Sequence, residues 1–182
     1  MKRRDLLRAF GAASALALLP HEAVAAWTRA ASGIRPSSGL TDAQLAFISA
    51  MGDTILPRTD TPSATDVGVP AFVDVIVSEN FTDTDRDAFV AGLTAIDAQV
   101  KAATGSSFVD LVPDARGSQI ASLESVTARR IEPTRTYWRL KGLIIHGYFT
   151  SEPVMKDVLK FEIMPGAFDG NAPMPLKRAS HG

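Results

Sequence analysis

The strongest constraint on how this chain can fold is the spacing of its apolar residues after residue 40, where they recur three and four apart. Phe89, Leu93, Ile96 and Val100 are separated by four, three and four residues, which puts them on one face of an α-helix. Tyr137, Leu140, Ile144 and Tyr148 form a second such stripe. Leu45, Ile48, Ile55 and Leu56, with Met51 between them, form a third. No run of alternating apolar and polar residues marks a strand. The spacing predicts an all-α fold, and a 46% hydrophobic content is enough to build its core without staples.

Prolines, glycines and hydroxyl residues mark where the helices begin and end. Thr41-Asp42-Ala43-Gln44 reads as a capping box, with Thr at the N-cap and Gln three residues on. Pro57 stops the helix that follows, and residues 57–69 form a Pro/Thr/Asp-rich loop. Pro70 suits the first position of a helix running to about Asn80. The next helix starts near Thr84 and ends at Gly105. Phe108 to Val112 fits one turn, Pro113 and Asp114 open a helix carrying Ile120 and Leu123, and Pro133 opens another. Ser151-Glu152-Pro153 begins a short helix to about Lys160, and the chain beyond Ile163 reads as an extended tail. The expectation is a body at 41–182 of about six helices, preceded by a Ser/Gly/Pro-rich linker at 27–40.

The first 26 residues read as an address rather than as part of the fold. Arg3 and Arg4, a spacer, then Leu6, Leu7 and Arg8 match the pattern of a twin-arginine (Tat) export signal. A weakly hydrophobic, Ala-rich stretch from Ala9 to Leu19 follows, too short to span a bilayer comfortably. Ala23-Val24-Ala25 then supplies a small-x-small site, with cleavage expected before Ala26. The Tat route carries folded proteins, so the chain is expected in the periplasm, exported with its fold already made.

The residues that would carry chemistry are missing or isolated. There is no cysteine, which excludes disulfides, thiolate-ligated clusters and c-type haem attachment. No Gly-rich nucleotide motif, Walker motif or nucleophile elbow occurs. Asp83-Thr84-Asp85-Arg86-Asp87 imitates the start of a calcium loop, but Ala88 stands where the turn requires Gly, and Thr94 where a bidentate Glu belongs. These acids better suit a helix N-terminus. His146 has no second ligand at helical spacing. Residues 1–26 carry Lys2, Arg3, Arg4 and Arg8 against Asp5 and Glu22, which leaves the body at −3 for a whole-chain charge of −1. A mildly acidic body gives no reason to expect a nucleic-acid partner.

Two segments go beyond composition. Residues 55–70 read ILPRTDTPSATDVGVP, and residues 140–152 read LKGLIIHGYFTSE, followed by Met164-Pro165-Gly166. Together with the arginine pair they resemble the gluconate 2-dehydrogenase subunit 3 family over about residues 40–175. Ser63 stands where that family usually has Gly, and Phe161 lies upstream of the usual place for an aromatic before Pro-Gly.

The resemblance implies a small non-catalytic subunit with no cofactor of its own. Its partner would be a large flavoprotein of the glucose–methanol–choline oxidoreductase type, which holds FAD and oxidises a sugar, glycoside or sugar acid. A c-type cytochrome would take the electrons. The small subunit would escort the folded flavoprotein through the Tat translocase to the periplasm, where association with the inner membrane stays open. The residues expected at the partner interface are Pro57, Thr61 and Pro62 of the first motif, Gly147, Tyr148, Phe149, Thr150, Ser151 and Glu152 of the second, and Pro165 and Gly166. Two other classes stay open. A stand-alone periplasmic enzyme would turn over substrate by itself, and a non-covalent haem module would show a Soret band.

Overall fold

A computed structural model describes residues 21–33 and 39–161 of the chain. All regular structure among them is helical: α1 (His21–Ala31), α2 (Asp42–Ile55), α3 (Val69–Asn80), α4 (Asp83–Thr104), α5 (Pro113–Ser125) and α6 (Thr134–Thr150). A single 3-10 turn spans Phe108–Asp110, and a π-helical turn spans Val154–Val158. The arginine pair with Leu6 and Leu7, Pro165 with Gly166, and the expected tail lie outside the described residues.

The caps follow from side-chain chemistry. Thr41 accepts from the Gln44 amide while the Gln44 side chain accepts from the Thr41 amide, so two donors at the start of α2 are satisfied reciprocally. Thr82 caps α4 by accepting from the Asp85 amide at 3.1 Å, with Asp83 and Asp85 in the first turn. The acidic run therefore sits at a helix N-terminus, where the helix dipole favours negative charge. Gly105 closes α4 in the left-handed conformation at φ 82°.

The core is organised around α6, which packs against α2, α3, α4 and α5. Its stripe of Tyr137, Leu140, Ile144 and Tyr148 is buried. The α4 stripe of Phe89, Leu93, Ile96 and Val100 faces inward with it, and α2 adds Phe47, Ile48 and Met51. Each such side chain stabilises the fold by about 1.5–3 kcal/mol through removal from water. Phe47 meets Phe108 at 5.5 Å between ring centroids, which ties the 3-10 turn to α2.

The expected helical body stands, and one of its expected boundaries shifts. Among the described residues the body holds five α-helices, the 3-10 turn and, after Pro153, the expected short helix, which is wound as a π-helical turn. There Leu159 donates five residues back to Val154 at 2.9 Å, and the left-handed Lys160 (φ 52°) ends the turn. Residues 27–31, read as linker, belong to α1. Ala23 and Ala26 are only 1% exposed, and Trp27 packs against the core. Burial of this apolar face outweighs the loop-forming composition that follows it.

Candidate functional site

The fold brings the two sequence motifs together. Tyr148, near the end of α6, donates its hydroxyl hydrogen to the Pro62 carbonyl at 2.8 Å. The first motif forms the loop between α2 and α3, and its shape is set by side-chain-to-backbone bonds. Ser63 and Asp66 cap each other: the Ser63 amide donates to Asp66 Oδ2 at 2.8 Å, and the Asp66 amide donates to Ser63 Oγ at 3.3 Å. The Thr65 amide donates to Asp53 Oδ1 at 2.8 Å, which anchors the loop to α2. Arg58 pairs with the outer oxygen of Asp66. The Ser63 amide foremost, helped by the Ser63 hydroxyl and Arg58 against partial desolvation, holds the Asp66 carboxyl below its ordinary range. Ser63, where the resembled family usually has Gly, is 4% exposed and acts as a turn-forming side chain.

At the second motif the residues separate into buried and exposed groups. Gly147 lies against Phe72 of α3, so close that a Cβ there would stand 2.7 Å from Phe72 Cδ1. Ser151 is fully buried and donates to the Tyr148 carbonyl at 2.7 Å. Thr150 accepts from the Trp27 indole at 3.0 Å and donates to the His146 carbonyl at 2.8 Å. Gly147, Tyr148 and Thr150 therefore hold α6 to its neighbours, and Ser151 closes the end of α6 itself. Phe149 and Glu152 point outward. Phe149 is 44% exposed, with its ring edge-on to Tyr148 at 5.4 Å. Glu152 pairs with Lys156 one turn on. In the first motif Pro57 is exposed, and Thr61 and Pro62 are half-buried.

Of the residues expected at an interface, Pro57, Phe149 and Glu152 present the most surface among those described. Ile145, one turn before Phe149, is also exposed, so α6 shows an apolar edge beside the joined motifs. Two adjoining residues were not legible as part of this region: Trp27, whose ring stacks on Phe72 at 5.1 Å, and Phe72 itself. A tryptophan next to a Ser/Gly/Pro run was the only available hint.

Elsewhere, an open groove between α2 and α4 is lined by Gln44, Phe47, Leu93, Thr94, Asp97 and Asp110. The Asp97 carboxylate there is already taken by the Ser107 hydroxyl and the Phe108 amide, both at 2.8 Å. Among the described residues, no three of His, Cys, Asp and Glu gather as metal ligands would. No described helix is long and apolar enough to cross a membrane.

A sequence model of the family described as gluconate 2-dehydrogenase subunit 3 matches residues 42–166, more than half of the chain. No curated protein and no solved structure matches the chain. The matched stretch holds both motifs and begins at the first residue of α2, so α1 lies ahead of it.

Proposed function

The chain belongs to the gluconate 2-dehydrogenase subunit 3 family, and from that premise we propose that it is the small, non-catalytic subunit of a periplasmic FAD-dependent sugar dehydrogenase. The catalytic partner is a large flavoprotein of the glucose–methanol–choline type. It holds the FAD, oxidises a sugar, glycoside or sugar-acid hydroxyl, and passes electrons to a c-type cytochrome. The small subunit contributes an export signal at Arg3 and Arg4 and a rigid helical surface. It escorts the folded flavoprotein through the Tat translocase and stabilises it afterwards.

The observation that carries this reading is the Tyr148–Pro62 bond. It fuses the two family-like motifs into one surface, with Phe149 exposed beside it. Exposed aromatics held rigid by their neighbours are the usual anchors of protein interfaces.

The test is co-expression with the FAD-dependent partner. Flavin-loaded partner should reach the periplasm only with this chain present, and Arg3→Lys combined with Arg4→Lys should leave it in the cytoplasm. Export of an active partner without this chain would end the escort reading. Turnover by the purified chain alone would end the non-catalytic one.

A further inference from the structure

We infer that the fold guards its own processing site: the small-x-small sequence Ala23-Val24-Ala25, with the cut expected before Ala26, is folded into α1 and docked on the body, so the exported protein keeps its leader. This rests on the export reading above, because only a Tat substrate is folded before it meets a signal peptidase.

Proteases cut where several residues on either side of the bond can be drawn out as an extended, accessible strand. Here those residues are helical within His21–Ala31. Ala23 and Ala26, which flank the expected cut before residue 26, are each 1% exposed and belong to the hydrophobic core.

Residues just past the cut hold the helix down. Trp27 stacks on Phe72 with ring centroids 5.1 Å apart and planes 27° apart, and its indole N–H donates to Thr150 at 3.0 Å. The ring lies over Gly68, where a Cβ would stand at ordinary contact distance, 3.4 Å from Trp27 Cζ3. Arg29 pairs with Glu79 at the end of α3. To reach the bond, a peptidase must first undock α1, and cleavage then slows in proportion to how rarely the undocked state is populated. A chain delivered unfolded would carry no such protection.

The experiment uses the full chain with Arg3→Lys and Arg4→Lys, purified folded from the cytoplasm, and a peptide of residues 15–35. Both are incubated with purified signal peptidase in detergent and read by intact mass. The peptide should be cut before Ala26 while the folded chain stays whole. Adding Trp27→Ala should let the folded chain be cut at least ~10-fold faster, with circular dichroism reporting that the body is still helical. Thr150→Val is the milder second variant, to be used if Trp27→Ala does not fold.

Three results would overturn the inference. They are a folded chain cut as fast as the peptide, a peptide that is not cut at all, and an undocked but folded variant that still resists. None of them touches the export reading, because the assay involves no export. That reading fails instead if the double-Lys chain and its partner still reach the periplasm, or if the partner is exported without this chain.

Discussion

Tyr148 donates its hydroxyl hydrogen bond to the carbonyl of Pro62, 86 residues earlier, and so joins the end of α6 to the loop between α2 and α3. Tyr148→Phe keeps the ring, which is 5% exposed, and removes only that bond. The expected cost is about 1 kcal/mol, or about 2–4 °C in melting temperature for a chain of this size. Limited proteolysis should quicken in residues 57–62. An unchanged melting point together with an unchanged cleavage rate would mean that the bond does not hold the loop. Tyr148→Ala is a poor probe of partner binding, because it also removes core packing.

Gly92 and Gly117 predict opposite signs. A Cβ at position 92 in α4 would fall 2.0 Å from Thr136 Oγ1 and 2.6 Å from Thr136 Cβ, so α4 and α6 must separate to admit it. Gly92→Ala should destabilise by about 1–3 kcal/mol through overpacking. A Cβ at Gly117 in α5 meets nothing within 4 Å. Gly117→Ala should stabilise by about 0.5–1 kcal/mol through helix propensity. Urea midpoints measure both, and a stabilised Gly92→Ala would contradict the α4–α6 contact.

Acid should weaken the fold in a way that Glu124 reports. Its carboxylate accepts from Lys141 and from the Tyr137 hydroxyl, and these bonds, that of Lys141 foremost, hold its pKa below the ordinary range. Burial pushes Tyr137 well above the normal tyrosine range, so it stays a donor. A carboxyl with a depressed folded pKa adds stability that is complete above its unfolded value and lost as pH falls through the folded one. Asp66 and Asp85 shift in the same direction. The urea midpoint should therefore hold level down to about pH 5 and fall below about pH 4. Glu124→Gln should flatten part of that fall; an unaltered slope would show that this carboxylate is not involved.

What could be read from the sequence was what depends on near neighbours. The stripes at Phe89 to Val100 and Tyr137 to Tyr148, the Thr41 capping box and the Gly105 cap all follow from residues within a few positions of each other, and all stand in the structure. The docking of Trp27 on Phe72 and Thr150 depends on partners 45 and 123 residues away, which no local pattern encodes. The same holds within the second motif. Helical periodicity places Tyr148 on the buried stripe, but only the approach of α3 shows why position 147 has no side chain. Ser63 and Asp66 could have been read as a reciprocal turn from their S-x-x-D spacing, and their place in a loop hid it.

Partner binding should depend on Phe149 more than on any buried residue of the same motif. Its ring is 44% exposed and braced edge-on by Tyr148 at 5.4 Å, so little side-chain freedom is left to lose when a partner covers it. Phe149→Ser removes apolar surface that the free chain leaves half in water, so its melting point should fall by less than about 3 °C. An anchor of this kind is worth at least a tenfold change in affinity, about 1.4 kcal/mol. Titration of the FAD-dependent partner with wild type, Phe149→Ser and, as a control, Val112→Ser measures it. Val112 is 67% exposed just ahead of α5, so its replacement tests whether any exposed apolar residue would serve. Loss of affinity with Phe149→Ser alone places the partner on the joined motifs. Equal affinity for all three moves it to another face of the bundle, and the Tyr148–Pro62 bond is then a device of folding rather than of assembly.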